Sequence, residues 1–232
     1  MDKSSELRST IAEQILDARK NDRALGYVTD RTLSEYQNIL QGVSNFIDYI
    51  LKNKDQLGSN ILLDVGAGAT RAASQLRSNY AAKGLEVRAT VLSNTPQIEK
   101  YLGKASTVIT SAESLKGIKA NSIAGIISVS GLAYSNDFSK VAESIDRVLV
   151  PGGIFKSGFV AWMQQGREQF TLHSSMDMEQ ILREKGYDVS AERIGTQMSY
   201  SDVILAIKPP FLDSAANLMK ADRLKTGIVR LF

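Results

Sequence analysis

Residues 62–70 read LLDVGAGAT: three apolar residues around one acid, Asp64, then Gly66 and Gly68 with only Ala67 between them. An apolar run followed by bare backbone predicts a buried strand turning sharply into a helix. In an open parallel sheet, ligands bind beyond the carboxyl ends of the strands, where strand order reverses. The first strand–helix turn belongs there. Glycine lets main chain approach a ligand where a Cβ would collide, and it adopts positive φ at little cost. The next helix brings unpaired N–H groups to the same place. The stretch therefore reads as a loop for a nucleotide-type ligand or as a tight turn holding none.

Working outward, short β-branched runs alternate with helical segments. Strands are predicted at 61–65, 87–93, 107–110, 123–129 and 154–160, then at 189–194 and 203–208. Helix punctuation lies between them. Residues 71–83 stop at Gly84, a glycine suited to a left-handed cap. Thr95-Pro96 reads as an N-cap and first helical position, with a stop at Gly103. Asn136 precedes a helix over 138–150 that Pro151-Gly152-Gly153 breaks off, and a further helix is expected from Ser174 or Ser175 to Gly186. The last two strands are separated only by a turn, so they should pair antiparallel. The pattern predicts a doubly wound α/β fold, mostly parallel with a reversed C-terminal strand.

Upstream, apolar positions from Leu33 to Leu51 keep helical period over about five turns, closed by Gly58. Three regions are expected: an N-terminal helical cap over 1–58, an α/β core over 59–208, and a tail over 209–232, read as one amphipathic helix. The helical termini are available for a second copy or a protein partner.

Composition sets limits. The 232 residues carry a net charge of +3, with Lys and Arg scattered among acids, so nucleic-acid binding is not indicated. The absence of cysteine excludes disulfides, thiolate metal sites and a cysteine nucleophile, and no metal is expected. Neither a signal-peptide pattern nor a membrane-spanning run is read, which makes the cytoplasm the default.

The segment from Ile61 to Pro209 resembles the class I S-adenosylmethionine-dependent methyltransferases, a Rossmann-like fold. LLDVGAGAT resembles the family's first motif, NTPQIEKYL its capped helix after strand two, and SAESL its adenine-flanking loop. RVLVPGGIF resembles the turn before strand five, and FTLHSSMDMEQILREKGYDV with DVILAIKP resembles the last helix and hairpin. The resemblance implies S-adenosylmethionine as cofactor. It puts Asp64, Gly66, Ala67 and Gly68 around the methionine part, Ser93 and Asn94 at the ribose, and Ser111, Ala112 and Glu113 at the adenine. Ser128 to Ser130 would form the mouth of the site. Asp64 could equally order its own loop, and Ser93 could be an ordinary strand end.

Two positions depart from the family pattern: Ser93 and Ser111 stand where acids usually face the ribose and the adenine amino group. A charged hydrogen bond contributes ~1.5–3 kcal/mol against about 1 for a neutral one, so affinity falls by roughly tenfold unless Asn94 or Glu113 compensates. A dinucleotide dehydrogenase fits worse, because it calls for GxGxxG and an acid about twenty residues on. The chain has SVSGLAY after strand four, not the Asn/Asp-Pro-Pro-aromatic turn that goes with methylation of exocyclic amines. The helical N-terminal region, with Tyr27, Arg31 and Tyr36, resembles the caps that close small-molecule methyltransferases, so a small organic acceptor is expected. For proton transfer the candidates are His173, the only histidine, placed in a loop before the Ser174 helix, and Tyr134. His173 reads also as a surface or capping residue, and Tyr134 as a packing residue. The alternative reading of the whole is a methyltransferase-fold binding or scaffold protein without catalysis.

Overall fold

The computed structural model describes residues 29–92, 101–135, 137–162, 167–195 and 199–210. A seven-stranded sheet runs β3-β2-β1-β4-β5-β7-β6. Its strands are β1 (Ile61–Val65), β2 (Glu86–Val91), β3 (Thr107–Ile109), β4 (Ile123–Val129), β5 (Leu149–Trp162), β6 (Asp188–Gly195) and β7 (Ser199–Ile207). Pairings from β3 to β5 are parallel. β7 runs antiparallel to both neighbours, so the expected reversed strand is found, lying one place inside the edge. Strand order reverses between β1 and β4, which fixes where a ligand cleft can form.

Alternation along each strand builds two cores. Leu62, Val87, Ile127 and Ile154 face helices α1 (Leu33–Leu40), α2 (Val43–Leu57) and α3 (Arg71–Tyr80). Leu63, Ile126, Phe155 and Phe159 face α4 (Phe138–Val148) and α5 (Arg167–Glu184). The segment expected as a cap thus supplies, from Leu33 to Leu57, a layer of the first core. Its approach is close. A Cβ on Gly125 of β4 would collide with Ile50 Cδ1 and lie 3.1 Å from Phe46 Cε1.

Several expected boundaries are corrected. The single helix read across 33–51 is two, because Gln41 and Gly42 both take positive φ (47° and 54°). The glycine inside the pattern was the missed stop signal. The helix 138–150 ends at Val148, and its cap is Asp137, whose side chain accepts the Lys140 N–H, not Asn136, which lies outside the described residues. Pro151-Gly152-Gly153 follows the helix end and lies within β5, where Gly152 and Gly153 exchange backbone hydrogen bonds with Lys208. The last helix begins at Arg167, not at Ser174. Ser175 Oγ is turned sideways to Asp202 of β7, 3.3 Å away, instead of capping its own helix. The helix expected after Thr95-Pro96, the tail after 210 and residues 1–28 lie outside the described residues. No helix among the described residues is long and apolar enough to cross a membrane, and none of their acids and His form a metal-holding group.

Candidate cofactor cleft

A cleft of about 340 Å³, its open mouth included, lies over the carboxyl ends of the first four strands. Val65 and Gly66 line it from β1, Thr90, Val91 and Leu92 from β2, Thr110 to Glu113 from the turn after β3, and Gly131 and Ser135 from the turn after β4. The structure thereby brings together Gly66, Ser111, Ala112 and Glu113 of the expected set. Leu92 is 55% exposed there, an apolar side chain held open to solvent beside hydroxyls and a carboxylate.

Thr90 builds the first wall: its Oγ1 accepts the Gly66 N–H at 3.1 Å and its carbonyl accepts the Ala67 N–H at 3.0 Å. Ser128 is buried and donates its hydroxyl to the Val65 carbonyl at 2.8 Å, tying the crests of β1 and β4 together. Gly66, at φ 71°, rests on Gly131, where a Cβ would come within 2.8 Å of the Gly131 Cα. Gly68, at φ 56°, is bare for another reason. A Cβ there would run into the Thr29 carbonyl and lie 2.8 Å from Thr29 Oγ1. The Thr29 carbonyl also accepts the Ala69 N–H at 2.9 Å. The expectation that this loop is stripped for a ligand is therefore corrected in part: both glycines admit protein backbone, and only Gly66 also borders the cleft.

Asp64 lies beneath the loop, fully buried, on the face that Leu62 presents to α1. Tyr36 Oη donates to its two carboxylate oxygens at 3.1 and 3.0 Å. Burial pushes the Asp64 pKa up to about 7, against the opposing pull of the Tyr36 hydrogen bond and the nearby Arg31 charge. The same burial, with the carboxylate alongside, pushes the Tyr36 hydroxyl well above its usual value.

Other expected residues are placed differently or fall outside. Ser93 and Asn94 lie outside the described residues. Tyr134 closes the short 3₁₀ turn Leu132–Tyr134 after β4, and its side chain is outside the described set. His173 sits within α5, not in a loop before it. Ser130, expected at the mouth of the site, holds a positive φ of 59°, with a buried hydroxyl that has no hydrogen-bond partner among the described residues. Thr90, Leu92 and Ser135 were not singled out from the sequence. In the segment Thr29–Thr32 only Arg31 was singled out, as part of the cap; the segment arches over the loop, where Asp30 meets Tyr101 Oη at 3.0 Å and Arg71 at 3.9 Å, and Arg31 donates to the Val129 carbonyl at 3.3 Å.

Residues 63–156 match the family model described as methyltransferase domain. No curated protein sequence matches the chain. Among solved structures it is similar to phosphoethanolamine N-methyltransferase 2 of Haemonchus contortus in complex with S-adenosyl-L-methionine (TM-score 0.51, 15% identity, covering 77% of this chain and 60% of that one). It is similar also to the YcgJ protein of Bacillus subtilis (0.51, 13%, 72% and 99%). A third is a SAM dependent methyltransferase from Aquifex aeolicus (0.50, 16%, 74% and 91%). The chain spans 52% and 60% of the nematode enzyme's length in its two structures. At these identities the likeness is one of fold.

Proposed function

We propose, from the match of residues 63–156 to a methyltransferase domain and the fold shared with a structure bound to S-adenosyl-L-methionine, that the chain is a class I S-adenosylmethionine-dependent methyltransferase acting on a small organic acceptor. The observation that carries the reading is the cleft itself. It opens at the reversal of strand order, lined by bare Gly66 and Gly131, by exposed Leu92, and by Ser111 and Glu113. Those walls suit an adenosyl group: an apolar face for the ring, hydroxyls and a carboxylate for its polar edge.

When bound, S-adenosylmethionine supplies an electrophilic methyl carried on a sulfonium. The chain's own contribution is alignment. Ser128 on the Val65 carbonyl and Gly66 on Gly131 fix the two crests between which the reacting groups are held. Orientation of this kind can supply much of a transfer rate. Ser111, Ala112 and Glu113 are assigned to the adenine, Ser93 and Asn94 to the ribose, and Gly66 with Ala67 to the methionine part. Asp64 is assigned to the floor of the site, where it holds α1 through Tyr36 instead of meeting the cofactor. Tyr134 follows the β4 crest, next to cleft-lining Ser135, and is the candidate for taking a proton from the acceptor; His173, inside α5, is the second.

A second reading, a binding protein without catalysis, draws on the Thr29 carbonyl that covers Gly68 and on the sealed Asp64. Calorimetry separates the two readings. The full chain is titrated with S-adenosylmethionine, S-adenosylhomocysteine and the nicotinamide dinucleotides, followed by labelled-methyl transfer to a panel of small phenols, amines and carboxylates. Micromolar binding of the first two with label transferred supports catalysis. Binding without transfer supports the second reading, and no binding at millimolar levels retires the enzyme in favour of that second reading.

A further inference from the structure

Arg31 stands over the crest between β1 and β4, its charge felt by the Glu35 and Asp64 carboxylates but within ion-pair distance of no acid among the described residues. Among the described residues its guanidinium makes no ion pair, and its one hydrogen bond, to the Val129 carbonyl, is long at 3.3 Å. The acids around it are otherwise engaged. Asp30 is turned to Tyr101 and Arg71 on the α3 side. Glu35 closes the capping box of α1 on the Thr32 N–H and hydroxyl, at 2.6 and 2.8 Å. Asp64 is buried below, with both oxygens on Tyr36. A guanidinium carries five N–H donors in a rigid fork that matches a carboxylate with two parallel hydrogen bonds.

We infer that Arg31 holds the carboxylate of the cofactor's amino-acid tail. The inference rests on the cofactor reading above and extends it to a residue outside every motif. The glycine loop lies toward the methionine part in that reading, and Arg31 bridges from the strap over that loop to the end of β4. The strap's anchors explain why the side chain is held there: Thr29 on the Ala69 N–H behind it, and the Leu33 N–H on Gln75 Oε1 at 2.7 Å ahead of it. Among the described residues only one of its N–H groups is engaged, so the fork keeps donors that a ligand carboxylate can accept from.

The test compares S-adenosylhomocysteine with 5′-methylthioadenosine, which keeps the adenosine and sulfur but lacks the amino-acid tail. Binding of each is measured by calorimetry to wild type, Arg31→Met and Arg31→Lys, with thermal unfolding as the check on folding. The expected result is a loss of about tenfold to a hundredfold in homocysteine-ligand affinity for the methionine variant, in line with a charged hydrogen bond. Methylthioadenosine affinity stays unchanged, and the lysine variant recovers part of the loss. Equal losses for both ligands would show that Arg31 acts only through the fold and overturn the inference, as would no loss for either. Wild type that binds neither ligand overturns the cofactor reading itself, and this inference falls with it.

Discussion

Asp64 shows how a residue can be found for the right position and assigned the wrong neighbour. Its place after an apolar strand and before two glycines was visible in LLDVGAGAT, and so was its period-2 alignment with Leu62. What the sequence could not show is that Leu62's face belongs to α1, so that the carboxyl points to Tyr36 and not to the cleft. The pairing joins residues 28 positions apart, and no local pattern encodes it. The burial has a measurable consequence. With a native pKa of about 7 against 3.8 unfolded, the native protein keeps a proton that the unfolded chain has released. The contribution of this group is therefore full below about pH 4, is lost as pH rises toward 7, and is constant above. Asp64→Asn removes that slope. Relative to wild type it should gain up to about 4 kcal/mol between pH 4 and pH 8, at about 1.36 kcal/mol for each pH unit separating the native and unfolded pKa values. Denaturant unfolding of both proteins at the two pH values checks this, and a difference that does not change with pH would reject the assignment.

At the scale of elements, legibility followed the strength of local punctuation. β1 and β4 were read to the residue, because β-branched runs there are bounded by Asn60 and Ser130. Gly58 and Gly84 ended their helices as left-handed caps, at φ 64° and 89°. The errors came where a local signal competed with a tertiary one. Ser174-Ser175 looked like a helix start, but Arg167, Glu168 and Gln169 are good helix formers, and Ser175 is claimed by Asp202. The glycine of β4 carried no warning at all. Gly125 reads as a gap in a strand, and only the docking of α2 explains it. Gly125→Val should then cost about 1–3 kcal/mol by overpacking against Ile50 and Phe46. Adding Ile50→Val should return part of the loss, a coupling that denaturant unfolding of the single and double variants would detect. Additive losses would mean that α2 does not rest on that strand position.

For the whole molecule, the two cores meet at one place that neither closes: the crests of β1 to β4, where Gly66 and Gly131 bring backbones together and Leu92 stays in water. The doubly wound order made this place foreseeable, since reversal between β1 and β4 puts both helix layers on opposite sides of the gap. Of the strap over it only a covering role was legible, through Arg31; its anchors on Ala69, Gln75 and Val129 are tertiary, and no local pattern encodes them. A ligand held there touches loops from four strands together, and so binds only the assembled fold. Such binding must raise stability by mass action. At a hundredfold excess over its dissociation constant, S-adenosylhomocysteine should add about 2.7 kcal/mol. For a chain near 230 residues, each kcal/mol moves Tm by roughly 2–4 °C, giving a rise of about 5–10 °C. Scanning calorimetry with and without the ligand measures it, with a nicotinamide dinucleotide at equal concentration as the control expected to do nothing. A rise with the dinucleotide and none with the homocysteine compound would keep the architecture and transfer the cleft to a different chemistry.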